Sequence, residues 1–321
     1  MDRKKDYVIG IDGGGTHLRI RAAYSCTGEV LSSVDVGSLG YFSKDPEKAV
    51  NQLESGTYEC LSAFNGKVED CACVVCGMSG VDSNEDKLLL ESLLKRVFPH
   101  ADVIAMNDGE LAMEAITGGV GILLNSGTGS IAVGRNSGGR LARAGGWPYT
   151  VYGDEGSGTW ISLKVVRKIG DWFDNIIEDS LLIDSVLSAL DIHTEKDYMD
   201  FCLHFTLKQL SVIPPIVDEA AAKCDKLAIE IIATAYTESF LLADRLASTL
   251  QFREADAFKV GIWGSNILNS KLHLEGFIKL FKEKYPNAEI CIPKNDLLGY
   301  ATEMAFQKNS PDKILGGRNE L

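Results

Sequence analysis

The chain contains 321 residues, of which 45% are hydrophobic and 24% are charged, and its formal net charge is −13. This composition excludes a disordered chain, and the acidic balance argues against general affinity for nucleic acid or anionic lipid. No apolar run approaches the ~18 residues of a membrane span, and the run after the charged N-terminus is too short for a signal peptide. We therefore expect a cytoplasmic globular protein, and its length favours two domains.

A glycine-rich turn follows the first predicted strand, which covers about 7–11. Alternating polarity over 17–24 and an apolar run over 30–36 predict two more strands. Because glycine allows φ > 0 and close approach of the backbone, the N–H groups of this turn can bind a phosphate, with a threonine hydroxyl as a further donor. A tight β-turn without a ligand explains the same residues, so both interpretations stay open. The turn consists of Asp12, Gly13, Gly14, Gly15 and Thr16.

Two other glycine motifs do not fit this turn. The chain lacks the Gly-x-x-x-x-Gly-Lys-Ser/Thr string of a P-loop. A dinucleotide-binding fingerprint needs a third glycine and a following helix, whereas Leu18 stands at that position and a strand follows. A phosphate-binding β-hairpin and a plain turn are therefore the interpretations that remain.

The next segments alternate between predicted helices and strands. The last of these strands ends at Asn107 and Asp108. We place a domain boundary near Gly118 and Gly119, which gives an N-terminal α/β domain of residues 1–117 and a C-terminal α/β domain of residues 118–321. The elements before the boundary cover about 45–65, 71–76, 88–97, 103–106 and 109–117.

Three of the eight cysteines lie close together in the predicted strand over 71–76. A strand would direct Cys71 and Cys73 to one face and Cys76 to the other, so the three side chains would not converge on a metal ion. The alanine and valine residues around them favour a buried strand with free thiols. The other cysteines are scattered, without a zinc-like spacing of Cys and His.

The pattern of the N-terminus then recurs. A predicted strand over 120–125 leads into a second turn of small residues, and a strand over 131–135 returns from it and ends in a hairpin turn at 136–139. Two units of strand, glycine turn and strand suggest a duplicated domain plan. The second turn runs from Ser126 to Ser130 and contains Gly127, Thr128 and Gly129.

Helical spacing dominates from residue 157 onward, and Pro214-Pro215 interrupts it. A late strand over 258–263 ends at a third glycine turn, which contains Gly264 and Ser265. A closing helix over about 296–308 follows, for which packing against the N-terminal domain is one option. The other predicted elements are helices over about 156–170, 178–190, 195–210 and 219–250 and a strand over 288–292.

The order of these turns predicts a nucleotide site. Two phosphate-binding turns, one in each domain, could hold a triphosphate from opposite sides, and the turn at Gly264 and Ser265 could lie against an adenosine. Asp12, at the end of a strand beside the first turn, is well placed to hold Mg²⁺ through water. A site of this kind needs few lysines, so it agrees with the acidic composition.

These motifs together resemble the N-acetylglucosamine kinase and BadF/BadG/BcrA/BcrD ATPase family. The resemblance covers most of the chain and is densest over 103–160, where 153–157 reads Gly-Asp-Glu-Gly-Ser and 145–147 reads Gly-Gly-Trp. It implies the sugar kinase/Hsp70/actin superfamily. The expected fold is therefore α/β, a two-domain actin/hexokinase-like (ribonuclease H-like) fold with ATP in an interdomain cleft.

The resemblance also implies roles for individual residues. Asp108 would be the general base that phosphoryl transfer requires, and Thr16 and Thr128 would contact the phosphates of ATP. Asp154 would accept hydrogen bonds from sugar hydroxyls. Simpler roles compete: Asp108 and Asp154 could each cap the helix that follows, and Glu155 could only complement a helix dipole. The full set expected at the substrate is Asn107, Asp108, Gly145, Gly146, Trp147 and Asp154.

Two departures from the family pattern affect the expected substrate. The family usually has an asparagine after the early glycine turn, and none occurs near Gly40. The loop after Trp147 begins with Pro148 where the family commonly has glycine, and it runs five residues, to Tyr152, before Gly-Asp-Glu. Both changes could admit a bulkier sugar or a different acceptor.

The leading hypothesis is an amino-sugar kinase that phosphorylates a sugar hydroxyl, the 6-hydroxyl first, with ATP and Mg²⁺. N-acetylglucosamine leads among the substrates, followed by glucosamine and N-acetylmuramate. The alternative is an ATPase activator of a reductase or dehydratase, which would need cysteines for an iron–sulfur cluster. A regulator or a filament-forming relative fits less well, because the chain opens directly with the phosphate hairpin. The resemblance also makes a homodimer an option.

Overall fold

The computed structural model describes residues 6–13, 17–37, 42, 44–81, 83–150 and 153–309. No helix in these residues has the length and apolar content needed to cross a membrane. The strands are β1 (Tyr7–Gly13), β2 (Leu18–Tyr24), β3 (Val30–Asp35), β4 (Cys71–Met78), β5 (Asp102–Met106), β6 (Gly121–Ser126), β7 (Ser130–Arg135), β8 (Leu141–Gly145), β9 (Lys259–Trp263) and β10 (Glu289–Cys291). The helices are α1 (Pro46–Ser62), α2 (Asn84–Val97), α3 (Asp108–Thr117), α4 (Gly158–Phe173), α5 (Leu181–Ala189), α6 (Glu195–His204), α7 (Leu207–Leu210), α8 (Ile213–Ala222), α9 (Lys226–Thr249), α10 (Ser265–Asn269), α11 (Lys271–Lys284) and α12 (Leu297–Asn309).

The chain divides into two compact units. Unit 1 comprises Met1–Ala115 and Lys294–Leu321, and unit 2 comprises Ile116–Pro293. Unit 1 therefore contains both ends of the chain, and unit 2 is one continuous segment.

Unit 1 is built on a five-stranded sheet in the order β3-β2-β1-β4-β5. The strands β1, β2 and β3 form an antiparallel meander, in which β2 pairs with both β1 and β3. The strands β4 and β5 run parallel to β1. Helices α1 and α2 pack on one face, and α12 packs on β1 and β4. Gly10 permits this close approach, because a Cβ atom there would lie 2.3 Å from Thr302 Oγ1. The cysteines of β4 are buried free thiols.

Unit 2 repeats this plan. Its sheet has the order β10-β9-β6-β7-β8, in which β6, β7 and β8 are antiparallel and β9 and β10 run parallel to β6. The predicted duplication is therefore confirmed at the level of strand order. The strand β8, which completes the second meander, was not predicted, because its alternation of small alanines with Leu141 and Arg143 is a weak strand signal.

The helical part of unit 2 differs from the prediction at three points. The predicted helix over 195–210 is two helices, because Thr206 begins a new one with a capping box in which its side chain and that of Gln209 bond each other's backbone N–H. Pro214 and Pro215 lie in the first turn of α8, where proline is tolerated because its missing N–H would have no helical partner. The predicted helix over 219–250 contains a break that Asp225 caps.

A buried histidine links α9 and α11 within unit 2. His273 is fully buried, and its Nε2 lies 2.9 Å from Ser239 Oγ. Burial lowers the pKa of His273 to about 4, because the apolar surroundings disfavour the charged imidazolium. The folded protein therefore holds this residue neutral at a pH where the unfolded chain would already be protonated.

We expect this histidine to make unit 2 less stable in acid. The pKa of an unfolded histidine is about 6.5, so the unfolded state binds the extra proton between about pH 6.5 and pH 4, and stability falls as the pH falls through that window. Replacing His273 with glutamine should remove about 3 kcal/mol of acid-dependent destabilisation between pH 7 and pH 4. Urea unfolding across this range measures it, with the exposed His100→Gln as the control. Parallel pH curves for wild type and His273→Gln would contradict the assignment.

Candidate active site

The carboxyl ends of β1 and β5 lie at the same edge of the unit 1 sheet. Gly13 pairs with Met78 of β4, and Gly77 pairs with Met106 of β5, so these parallel strands end side by side. Since neighbouring strands lie about 4.8 Å apart, the ends of β1 and β5 are roughly 10 Å apart. Asp12 and Gly13, at the start of the first glycine turn, and Asp108 are therefore brought to one edge of one sheet.

Asp12 is a buried carboxylate with a cationic neighbour. Only 3% of the residue is exposed, its Oδ2 accepts hydrogen bonds from the Arg19 guanidinium, and His17 Nε2 lies 3.5 Å from the same oxygen. Arg19 also donates to Asp296 Oδ2 at 2.8 Å. Burial lowers the pKa of Arg19, but its hydrogen bond to Asp12 and the charges of both aspartates raise it overall. Arg19 thus fixes the orientation of the Asp12 side chain.

This arrangement fits a magnesium ion that is held indirectly. In the described part of the chain, no three His, Cys, Asp or Glu side chains cluster as ligands for a metal ion. Asp12 supplies one carboxylate at a strand end, and Mg²⁺ commonly uses one or two carboxylates together with water and substrate phosphates. The structure is therefore compatible with the water-mediated role expected for Asp12.

Asn107 and Asp108 stand at the start of α3. The Oδ1 atoms of both residues lie 2.8 Å from Gly109 N, which donates to them, and Leu111 N donates to the Asn107 carbonyl. Because the first helical hydrogen bond ends on Asn107, this residue occupies the capping position that was considered for Asp108. Asp108 is half-buried and is the first residue of the helix.

The second glycine turn, from Ser126 to Ser130, is held by the loop before α4. Gly158 N and Thr159 N donate to the carbonyls of Gly127 and Thr128 at 2.9 and 3.1 Å. Ser126 Oγ donates to the Gly156 carbonyl at 2.9 Å, and Ser130 Oγ donates to the Glu155 carbonyl at 2.8 Å. These hydrogen bonds bring together two segments that the sequence placed about 30 residues apart.

Asp154 belongs to this network and does not cap the helix. Its φ is +57°, and its Oδ1 accepts the Ser130 N–H at 2.9 Å, while Ser157 is the N-cap of α4 and accepts the Trp160 N–H. The capping role considered for Asp154 is therefore wrong. Burial raises the pKa of Asp154, although its hydrogen bond to Ser130 acts in the opposite direction.

The Gly145-Gly146-Trp147 segment continues from β8 along the same turn. Gly145 pairs with Ile131, and Gly146 N donates to the Ser130 carbonyl at 2.9 Å. The Trp147 main chain contacts Gly153, and 52% of Trp147 is exposed. Of the residues expected at the substrate, the structure thus gathers Gly145, Gly146, Trp147 and Asp154 around Ser130.

The third turn lies against the second one. Asn125 of β6 pairs with Trp263 of the parallel β9, so both strands end at the same edge of the unit 2 sheet. Gly264 has a φ of +99°, and a Cβ atom there would lie 2.3 Å from the Ser126 carbonyl oxygen. Asn266 Nδ2 donates to Ser126 Oγ at 3.1 Å and to the Gly156 carbonyl at 3.2 Å. The three segments form one hydrogen-bonded cluster.

A pocket of about 160 Å³ opens beside this cluster. Two predicted nucleotide-binding segments line it, the second turn and the third turn, and the N-terminus of α4 and helix α8 complete it. Its walls are formed by Gly127, Thr128, Gly158, Thr159, Leu207, Ser211, Pro214, Pro215, Asp218, Ser265, Asn266 and Asn269.

Sequence reasoning missed Asp218, the acidic residue in this pocket wall. It lies on α8 and accepts a hydrogen bond from Ser270, the N-cap of α11. Burial raises the pKa of Asp218, and the Ser270 hydroxyl partly opposes that shift. No glycine motif precedes Asp218 to mark it as a site residue. The only signal was its position three residues after Pro215, and the predicted helix began after it, at residue 219.

Some predicted site residues lie outside the described residues. These are Gly14, Gly15 and Thr16 of the first turn, the segment around Gly40, and the end of the Pro148–Tyr152 loop.

Comparisons with known proteins show the family of the chain. The model of the BadF/BadG/BcrA/BcrD ATPase family matches residues 9–296. The chain belongs to this family. An N-acetylmuramic acid/N-acetylglucosamine kinase from Clostridium acetobutylicum is 31% identical over 299 residues, which are 90% of this chain and 95% of that protein. An N-acetyl-D-glucosamine kinase from Dictyostelium discoideum is 27% identical over 89% of this chain and 93% of that protein.

Solved structures confirm the fold class. A Chromobacterium violaceum protein, provisionally described as an N-acetylglucosamine kinase, has a TM-score of 0.68 at 23% identity and covers 94% of this chain and 99% of its own. A ROK family glucokinase from Streptomyces griseus, in complex with glucose and AMPPNP, has a TM-score of 0.58 at 15% identity over 94% and 99% of the two chains. At these identities the likeness shows the fold, which is the predicted actin/hexokinase-like α/β fold.

We expect Gly264→Ala to disrupt the cluster of turns. The methyl group would meet the Ser126 main chain, and the backbone angle at Gly264 disfavours residues with a Cβ atom. The free energy of unfolding should fall by at least about 2 kcal/mol, which urea unfolding measures. Gly138→Ala is the matched control, because a Cβ atom there lies 3.4 Å from its nearest neighbour. Equal stability of the two variants would contradict the close approach at Gly264.

Proposed function

We propose that this protein is an ATP-dependent kinase that transfers the γ-phosphoryl group to a hydroxyl of an amino sugar. The observation that carries the proposal is the pocket in unit 2, whose walls include both Thr128 of the second turn and Ser265 of the third. This pocket lies between a turn of small residues and a glycine turn at a strand end. Such a pocket suits the phosphates and the nucleoside of one nucleotide. The relatives named as amino-sugar kinases support the same reading.

In this proposal each group has a defined chemical task. Asp108 accepts the proton of the sugar hydroxyl as the hydroxyl oxygen attacks the γ-phosphorus, the bond to the β–γ bridging oxygen breaks, and ADP leaves. Gly13 to Thr16, Thr128 and Gly129 bind phosphate oxygens through backbone N–H groups and threonine hydroxyls, while the Gly127 N–H donates to the Gly129 carbonyl and shapes the second turn. Asp12 would hold Mg²⁺ through water, and this cation supplies the charge neutralisation that phosphoryl transfer needs.

The sugar would be bound by the residues around Ser130 and by the start of α3. Asp154 would accept hydrogen bonds from sugar hydroxyls, with Asn107, Gly145, Gly146 and Trp147 along the sugar. N-acetylglucosamine is the first substrate in this proposal, glucosamine and N-acetylmuramate follow, and the 6-hydroxyl is the first acceptor. The named kinases among the relatives favour this function over an ATPase activator.

We expect Asp108→Asn to abolish most of the turnover without unfolding the protein. Loss of a general base lowers kcat by about 10²- to 10⁴-fold, while KM for the sugar should change little. A coupled ADP-release assay on a panel of hexosamines measures both constants. Asp102→Asn, at the exposed opposite end of β5, is the matched control and should retain full activity.

Two results would contradict the proposed function. The first is the absence of turnover by the wild type with every hexosamine of the panel. The second is an unchanged kcat in Asp108→Asn.

We expect Asp218→Asn to weaken nucleotide binding. The asparagine keeps an acceptor for Ser270 but loses the charge and one acceptor at the pocket wall. The KM for ATP should rise about 3- to 10-fold, with kcat within about twofold of the wild type. The neighbouring Glu219→Gln is the matched control, because Glu219 is exposed and pairs with Lys223 on the surface. An equal effect of both substitutions would mean that Asp218 does not contact the nucleotide.

A further inference from the structure

Ser239 lies directly beneath the loop that precedes α4. It belongs to α9, and it is fully buried. The loop approaches this helix so closely that a Cβ atom at Gly156 would lie 2.6 Å from Ser239 Oγ and 2.7 Å from the Ala235 carbonyl oxygen. Gly156 also has a φ of +77°, a backbone angle that favours glycine. The backbone of Gly156 therefore packs directly against α9 at Ser239.

His273 holds the Ser239 hydroxyl from the neighbouring helix α11. The distance from Nε2 to Oγ is 2.9 Å, and both residues are fully buried, so water does not compete for this hydrogen bond. The other ring nitrogen, Nδ1, is buried and has no hydrogen-bond partner within the described part of the chain. The bond to Ser239 is therefore the contact that orients the imidazole and the hydroxyl toward each other.

The first turn of α11 also holds the wall of the proposed nucleotide pocket. Ser270, the N-cap of this helix, donates through Oγ to Asp218 in the pocket wall, and it accepts the His273 N–H at 3.4 Å. Ser270 and His273 are three residues apart in one turn. One turn of helix thus contacts the pocket wall through Ser270 and the support of Gly156 through His273.

Gly156 is bonded in turn to both of the proposed binding segments. Its carbonyl accepts hydrogen bonds from Ser126 Oγ at 2.9 Å and from Asn266 Nδ2 at 3.2 Å, which belong to the second and the third turn. Asp154 lies two residues before Gly156, and its carbonyl accepts the Ser157 N–H at 2.9 Å. A shift of Gly156 on α9 would therefore displace the carboxylate that is proposed to bind the sugar.

We propose that Ser239 and His273 are positioning residues, which hold the loop of Asp154 for the sugar and link this loop to the nucleotide pocket. The inference rests on the proposed kinase function and makes its two substrates interdependent. A nucleotide that contacts Asp218 restrains Ser270 and the first turn of α11, and the bond to Ser239 passes this restraint to the loop. Because part of the ordering is then complete before the sugar binds, the sugar binds more tightly when the nucleotide is present.

The test measures the Kd of the sugar by isothermal titration calorimetry, without nucleotide and with saturating AMPPNP and Mg²⁺. The sugar is N-acetylglucosamine, or the hexosamine with the highest kcat/KM if this is a different one. Four variants are compared with the wild type. Ser239→Ala removes the hydroxyl, and His273→Leu removes both ring nitrogens but keeps apolar bulk. His273→Gln restores an amide N–H near the position of Nε2 and tests for rescue. The matched control is Thr237→Ala, which removes an exposed hydroxyl of the same helix that donates to the Ala233 carbonyl.

We expect AMPPNP to lower the Kd of the sugar by about 10-fold in the wild type, a common size for coupling between two sites. This factor should fall to about 2-fold in Ser239→Ala and in His273→Leu, because the loop and the pocket wall then lose their connection. It should be intermediate in His273→Gln and equal to the wild-type factor in Thr237→Ala. A substitution that only destabilised unit 2 would lower the free energy of unfolding, which urea unfolding measures, and would leave the factor unchanged. If His273→Leu does not fold, Ser239→Ala decides, because it removes a single oxygen atom.

Three results would overturn the inference and leave the proposed kinase function standing. The first is a wild type that phosphorylates a hexosamine and binds it equally well with and without AMPPNP. The second is a wild-type factor in folded Ser239→Ala. The third is an equal loss of the factor in Thr237→Ala, which would show a general effect of changes in α9. A wild type that phosphorylates no hexosamine would overturn the proposed function as well.

Discussion

Parallel strand pairing at the centre of each sheet is the constraint on which the candidate site depends. Parallel neighbours end at the same edge, so β1, β4 and β5 carry Asp12 and Asp108 to one edge of the unit 1 sheet. In unit 2 the parallel pair β6 and β9 carries the second and third turns to one edge. Residues far apart in sequence are thus gathered by backbone hydrogen bonding alone, before any side chain contributes.

Hydrogen bonds within unit 2 then give the second turn its shape. The loop before α4 pairs with the carbonyls of Gly127 and Thr128 and with the hydroxyls of Ser126 and Ser130. Asn266 ties the third turn to both segments. A turn held by its neighbours in this way needs little rearrangement when a phosphate binds, and such preorganisation is an effective source of affinity and of transition-state stabilisation. The glycines of the turn therefore do not set its shape alone, because hydrogen bonds with the segment from Gly153 to Thr159 hold the turn in place.

The sequence predicted the part of this architecture that depends on local pattern. The structure contains the paired strands of both predicted hairpins, the buried strand with Cys71 and Cys76, and the late strand before Gly264. The capping box at Thr206 and the cap at Asp225 are local signals that the prediction overlooked, whereas three failures at the site share another cause, since each depends on contacts between distant segments. Residues 141–145 form a strand because they pair with β7, and Asp154 does not take the alternative capping role because it accepts the Ser130 N–H from another strand. Asp218 joins the pocket only through the packing of α8, which no local pattern encodes.

The position of Asp154 gives one carboxylate two tasks in the proposed kinase. The Oδ1 atom of Asp154 accepts the Ser130 N–H at the end of the second turn. Burial raises the pKa of Asp154, because the ionised carboxylate is poorly solvated there. Sugar hydroxyls that donate to this carboxylate would replace lost water and stabilise the charge. Because an ionised carboxylate is a stronger acceptor than a protonated one, a sugar that keeps Asp154 ionised would also keep its hydrogen bond with Ser130, and the same side chain would then sense the sugar and brace the turn that holds the nucleotide. A neutral amide at this position would do both less well, because it has one acceptor oxygen in place of two and carries no negative charge.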